Sequence, residues 1–254
     1  MSLAVQAKQW LHRHAPTVSH RLAVLRRDWM RAGWRAQGMK SLSQFGEDVA
    51  AIRYFKLKRG GIYVDIGAYD GIYLSNTAML ELQYGWRGVL VEPITEAYDR
   101  MVKSRPGSTC IYGAVSTEEG PLRFTYSAAD GGMLSGTAFD PRHQERVEEE
   151  SRRQHAQIEV RLVPSFLPNE VLKAAAALAQ PDPDVRAIDF LSIDTEGTEL
   201  DILRSIDWKA FRPKLLCVEN HFQERHQADF LQSIGYRRTG KTFGYSNDFY
   251  EDAE

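Results

Sequence analysis

Short, unbroken apolar runs alternate along this chain with segments whose apolar residues return every three or four positions. The first pattern reads as strands covered on both faces, the second as amphipathic helices. Ile62, Val64 and Ile66 belong to a β-branched run and predict a strand. Gly67 and Gly71 punctuate it, and Ile72, Ala78, Met79 and Leu82 then predict a helix over 72–82. Gly88 to Glu92 predicts a second strand, 96–102 a short helix stopped before Pro106-Gly107, and Thr109 to Val115 a third buried strand. The alternation then breaks. Leu122 to Tyr126 and Ile158 to Val163 predict paired strands, separated by the glycine-rich loop 129–136 and a charged helical segment over 142–157. A short Ala-rich helix over 174–179 and a loop from Gln180 to Asp184 follow. Strand–helix alternation resumes with strands over 188–194 and 214–219, helices over 199–206 and 222–234, and two closing strands, 236–239 and 243–250, expected to be antiparallel. The prediction is an α/β fold with a mostly parallel sheet and helices on both faces.

Upstream, Val18, Leu22, Leu25 and Trp29 make one apolar stripe on a helical arm, with Trp10 and Trp34 as further aromatic anchors. Ser41 to Phe55 predicts another helix, capped by Ser43, with Glu47 near the place of a capping acid.

Composition sharpens this picture at one end. The chain has 254 residues and a net charge of −2, enough for one sizeable core and an appendage. Residues 1–40 carry eight Lys or Arg against the single acid Asp28, or +7, while the remainder carries 24 basic and 33 acidic residues, or −9. A basic amphipathic arm on an acidic body packs on its own domain or a second subunit, or else lies on an anionic membrane. His12, His14 and His20 are too loosely arranged for a metal. Nucleic acid is an unlikely partner for a body so acidic. Cys110 and Cys217 fall inside apolar runs and read as buried free thiols of a reducing compartment. No run approaches the ~18 apolar residues that span a bilayer, and the amino terminus lacks a signal peptide's apolar core. The expected location is cytoplasmic, with contact to the inner face of the membrane through the arm as an option.

The chemistry concentrates at predicted strand ends. Asp65-x-Gly67-x-x-x-Gly71 is not the G-x-G-x-x-G that receives a pyrophosphate. With its leading acid, it resembles the glycine loop of Rossmann-like S-adenosylmethionine-dependent methyltransferases. An ordinary strand–helix turn is the plainer alternative. Glu92, 21 residues beyond Gly71 and directly before Pro93, stands where a carboxylate accepts hydrogen bonds from both ribose hydroxyls. Two further strand tips are polar, Asp194-Thr-Glu196-Gly197 and Glu219-Asn220-His221. Helix capping could explain Asp194 or Glu196 singly, ahead of the 199–206 helix.

Taken in order, Ser43-Gln-Phe-Gly-Glu-Asp48, Val64-Asp-Ile-Gly-Ala-Tyr-Asp-Gly71, Leu74-Ser-Asn-Thr77, Glu92-Pro93, Ile193-Asp-Thr-Glu-Gly-Thr-Glu199 and Ser246-Asn-Asp-Phe-Tyr250 resemble the FkbM family of methyltransferases. The resemblance runs from about residue 41 to 250. It implies a seven-stranded Rossmann-like fold over 41–254 with an insertion at about 117–165, and the arm 1–40 outside it. It also implies S-adenosylmethionine and transfer of its methyl group to a hydroxyl, of a sugar in a surface glycan or of a natural product. The positions expected beside the cofactor are Gln44, Asp65, Gly67, Ala68, Gly71 and Asn76, then Glu92, Pro93, Ala114, Ser116 and Asp194. One departure is Gly113-Ala114, where many such enzymes place an Asp for the adenine amine.

An alcohol is a poor nucleophile until its proton leaves. His221 is the expected general base, held by Glu219 or Asp194, with Glu196 beside them. The rival is a divalent cation, Mg²⁺ or Mn²⁺, on Asp194, Glu196 and Glu219. Acceptor choice is expected to reside in 127–157 and 43–48. A non-catalytic scaffold that binds S-adenosylmethionine or a nucleotide is the alternative of another class; buried acids would gain such a module nothing.

Overall fold

The computed structural model describes residues 28–137, 141–179, 188–239 and 246–254. Most of the predicted arm stripe, the 180–184 loop and the first residues of the 243–250 strand lie outside the described residues.

The main sheet has seven strands: β1 (Ile62–Ile66), β2 (Arg87–Glu92), β3 (Thr109–Tyr112), β7 (Phe190–Ile193), β8 (Leu215–Glu219), β9 (Tyr236–Arg238) and β10 (Asn247–Asp252). Their order is β3-β2-β1-β7-β8-β10-β9. β10 is antiparallel to its neighbours β8 and β9, and the pairings from β3 through β8 are parallel. Both faces are covered, which is why the strands read as unbroken apolar runs rather than alternating ones. Val64, Ile66, Val91, Ile193 and Val218 face one core, and Tyr63, Leu90, Phe190, Cys217 and Phe249 face the other. β1 and β7 lie side by side at the centre although well over a hundred residues separate them in the chain. Strand order reverses direction there, and their carboxyl ends open a crevice.

Helices α1 (Glu47–Tyr54), α2 (Ala78–Tyr84), α3 (Thr95–Ser104), α5 (Pro168–Ala176), α6 (Glu199–Ser205) and α7 (His226–Ser233) connect the strands. A second sheet, β4-β6-β5, is built from β4 (Ala114–Val115), β5 (Gly120–Ser127) and β6 (Ile158–Phe166), with α4 (Pro141–Gln154) between β5 and β6. The expected antiparallel pairing of the two middle strands is present as β5 on β6.

Several expectations need correction. The predicted strand 109–115 is two strands in two sheets. Gly113 between them has φ 149°, and a Cβ there would stand 2.7 Å from the carbonyl oxygen of Pro164, so only glycine allows the chain to turn off one sheet and onto the other. The helix expected from Ile72 begins only at Ala78. Asp70 Oδ1 accepts the N–H groups of Ile72 and Tyr73, and Ser75 Oγ those of Thr77 and Ala78, which winds 70–77 into a loop instead. The helix that follows the glycine loop therefore begins seven residues beyond Gly71. Ser43 does not cap α1, whose N-cap is Gly46. Its hydroxyl donates to Asp48 in a buried network instead. The Ala-rich helix starts earlier, at Pro168, with Glu170 reaching back to the N–H of Leu167. The 222–234 helix is shortened to α7 because Asn220 bonds the carbonyl and N–H of Glu224.

Residues 28–36 are helical. Trp34 is buried in the second core cluster, whereas Trp29 is 79% exposed. Cys217 is buried as expected, but Cys110 is only half-buried, since β3 is an edge strand. Among the described residues, no helix is long and apolar enough to cross a membrane.

Candidate active site at the carboxyl edge of the sheet

A cavity of about 740 Å³ opens over the carboxyl ends of β1, β2, β7 and β8. The strand tips supply its acids. Asp65, on β1, accepts a hydrogen bond from Thr77 Oγ1 at 2.5 Å. Burial raises its pKa, against the pull of that hydroxyl. At the tip of β2, Glu92 Oε1 accepts the N–H of Ile94 and Oε2 that of Tyr69, each at 2.7 Å. Burial still pushes Glu92 up to about 7, because two peptide dipoles replace only part of its lost hydration.

The tips of β7 and β8 bring three carboxylates together. One oxygen each of Asp194, Glu196 and Glu219 lies within 4.8 Å of the others. All three have raised pKa values. Burial is the main cause in each; Glu199 and then Asp65 add to it at Asp194, Asp194 adds to it at Glu196, and Asp194 and Glu196 add to it at Glu219. His221 lines the same cavity from an exposed position, edge-on to the Phe222 ring.

The turn from β7 into α6 that presents Glu196 is tightly specified. Glu196 sits at φ 59°, sparsely populated for a residue with a side chain. Glu199 Oε1 accepts the N–H groups of Thr195 and Gly197 and the hydroxyl of Thr195, at 2.9–3.1 Å. The bland expectation that Glu196 caps the next helix is not met: α6 has Thr198 at its N-cap, with no side-chain cap.

A matched family model decides what this architecture belongs to. The methyltransferase FkbM domain matches residues 65–239, more than half of the chain. The chain belongs to the FkbM methyltransferase family. Its strand order and the crevice at β1/β7 are those of the Rossmann-like methyltransferase fold. Similar solved structures include methyltransferase FkbM from Methylobacillus flagellatus KT, at 13% identity and TM-score 0.45. That alignment covers 76% of this chain and 43% of the other, so this chain spans less than half the length of that relative. A methyltransferase from Geobacter sulfurreducens is 11% identical, with TM-score 0.44, covering 82% and 78%. An RNA methyltransferase from Salinibacter ruber, in complex with S-adenosyl-L-homocysteine, is 9% identical, with TM-score 0.39, covering 82% and 90%. No curated protein matches the sequence.

Within this FkbM-family domain most sequence-predicted positions converge. Gln44, Gly67, Ala68 and Asn76 line the cavity, as do Pro93 and Ala114. Asn76 Nδ2 also donates to Ser192 Oγ at 3.2 Å. Two positions do not reach it. Gly71 packs against the side chains of Arg105, Ser104 and Met101, away from the cavity. Ser116 donates its N–H to Phe166 and accepts from Glu118 on the second sheet.

Other lining residues were not singled out from the sequence. Arg146, on α4, lines the cavity with its Nη1 3.8 Å from Glu196 Oε2. His143, one turn earlier, brings Nδ1 within 3.3 Å of the same oxygen. Nothing local marks them, because α4 reads as a solvated charged helix until the fold lays it over the β7 tip. Asn247 was detectable: it opens β10 directly opposite Glu219, inside a motif already noted. Its Oδ1 is buried with no hydrogen-bond partner among the described residues.

Proposed function

We propose that this chain is an S-adenosylmethionine-dependent O-methyltransferase acting on a hydroxyl of a sugar in a glycan or of a natural product. The observation that carries the reading is Glu92. It is buried at the β2 tip, beside the cavity, with one backbone N–H on each oxygen and lone pairs left over for two hydroxyls. The cavity volume, about 740 Å³, suits a nucleoside with an amino-acid tail and a second substrate.

The bound cofactor would supply a methyl group on a positively charged sulfur. Glu92 would hold the ribose, and Gly67 and Ala68 the tail. Asp194, Glu196 and Glu219 would align the acceptor oxygen, and alignment alone accelerates such a displacement greatly. His221 would take the hydroxyl proton as the carbon–oxygen bond forms and the carbon–sulfur bond breaks, its electron pair leaving with S-adenosylhomocysteine.

The deciding experiment is calorimetric titration of wild type and Glu92→Ala with S-adenosylhomocysteine. Micromolar binding that the substitution weakens is the expected result. Absence of binding to the wild type would overturn the proposal and leave a scaffold with an unexplained acid cluster.

One observation favours a second reading of the proton step. Three carboxylate oxygens within 4.8 Å of one another match the oxygen donor set of Mg²⁺ or Mn²⁺. Such an ion would acidify the hydroxyl directly. Turnover unchanged by a chelator, together with no Mn²⁺ binding by electron paramagnetic resonance, would sink it.

A further inference from the structure

One wall of the cavity is a short segment of the insertion, residues 129–136. It opens with a 3-10 turn at Ala129–Gly132 and then presents Met133, Leu134 and Ser135 to the cavity. Both ends are tied to the second sheet. Ser135 Oγ accepts the Ser127 N–H at 3.0 Å, and Thr125 and Gly136 exchange backbone hydrogen bonds. The tip instead reaches the main domain: the carbonyl oxygen of Gly131 accepts from Tyr69 Oη at 3.0 Å. Among the described residues, the segment's other hydrogen bonds stay within the insertion, as from His143 Nε2 to the Leu134 carbonyl.

Tyr69 is set for this contact at a cost. It lies inside the Gly67-to-Gly71 loop with φ 50°, sparsely populated for a residue with a side chain, and such strain gathers at ligand clamps. In that conformation its N–H serves Glu92 Oε2 while its phenol serves Gly131. The Arg100 guanidinium, 5.5 Å from the ring centre, steadies the ring. The fit at the tip is close, since a Cβ on Gly131 would stand 2.7 Å from the Tyr69 hydroxyl. A segment anchored at its ends and held across a cavity by one neutral hydrogen bond opens more readily than the sheets beside it.

We propose that residues 129–136 form a flap over the cavity and that Tyr69 is its latch. Ligand enters and leaves when Tyr69 Oη releases Gly131. The ligand named here rests on the methyltransferase reading; the flap does not.

The test measures S-adenosylhomocysteine binding to the immobilised full chain by surface plasmon resonance. A latch resists passage in both directions. Tyr69→Phe should therefore raise the association and dissociation rates alike, each about fivefold for one neutral hydrogen bond. Affinity should stay within about twofold, because the bond is present with and without ligand. Gly131→Ala, whose methyl would press on the Tyr69 hydroxyl, should act in the same direction. In the ligand-free chain, hydrogen exchange over 129–136 should accelerate in both variants, while unchanged exchange in β1 and β7 reports that they fold. Unchanged rates overturn the latch. Faster dissociation with association untouched overturns it too, and makes Tyr69 an ordinary ligand contact. If the wild type binds no S-adenosylhomocysteine, the methyltransferase reading falls, and exchange alone decides the flap: equal exchange over 129–136 in wild type and Tyr69→Phe overturns it.

Discussion

A Cβ placed on Gly67 would stand 1.7 Å from the carbonyl oxygen of Asp194. The glycine at the tip of β1 is therefore where the two halves of the sheet close on each other. Sequence reading assigns this glycine to ligand approach, and it does line the cavity, but its strict requirement comes from the neighbouring strand. Its φ of 84° adds a second reason. Gly67→Ala is expected to destabilise the fold by about 3 kcal/mol or more, since backbone cannot yield as a side chain can. Urea denaturation measures this; a loss under about 1 kcal/mol would show that the β7 tip relaxes freely.

Glu92 ties stability to pH. Its pKa rises on folding from an ordinary 4.5 to about 7. A raised group favours the fold fully below its unfolded pKa, and that advantage is lost as pH climbs through the folded value. Glu92→Gln carries a constant penalty, because its amide cannot accept from both Ile94 and Tyr69. Between pH 5 and pH 8 its melting temperature should nonetheless gain on that of the wild type. Melting curves at the two pH values decide it, and a gap that widens towards pH 8 would contradict the burial argument. Affinity for S-adenosylhomocysteine should rise over pH 6–8 in the wild type alone, if the ionised carboxylate receives the ribose.

Arg105 is fully buried, with its Nε 2.9 Å from Glu81 Oε2 and its Nη2 on Tyr63 and Thr77. Through Thr77 it supports Asp65, the first acid of the cavity. Against the effect of burial, Arg105 keeps the Glu81 pKa low. Arg105→Met would leave that carboxylate without its cation, with only Tyr63, Gly107 and Ser108 donating to it, at a cost of about 3 kcal/mol. The double variant Arg105→Met/Glu81→Leu should recover much of this loss. Chemical denaturation of the three proteins tests it, and equal losses in single and double variants would refute the account.

Glu199 holds three groups of the 194–199 turn on one carboxylate oxygen. Glu199→Ala is expected to release Glu196 from its positive φ and to lower stability by about 2–3 kcal/mol. Hydrogen exchange at the Thr195 and Gly197 amides should accelerate well beyond that of the β7 core. Unchanged protection there would assign the turn's shape to other contacts.

Much of the fold was legible because the central strands β1, β2, β7 and β8 are buried on both faces and so appear as nearly unbroken apolar runs. The strand tips were legible for the opposite reason: a polar residue ending such a run has lost its core and meets solvent or ligand. Asp65, Glu92, Asp194 and Glu219 were found that way. Local rules failed where side chains compete with backbone pairing. Asp70 and Ser75 unwound a helix that apolar spacing favoured, and Gly113 passed one apparent strand between two sheets.

By itself, then, the sequence determined the α/β class, the order of the main elements and the acids at their ends, since these follow from periodicity and burial within a few residues of each position. Only the tertiary structure decided that β1 lies beside β7, that Gly67 must admit the Asp194 carbonyl, and that Arg146 and His143 meet Glu196. Those relationships join residues 50 or more positions apart. They arise because closing the sheet and laying α4 across its edge buries apolar surface, and no local pattern records where that burial brings a distant side chain.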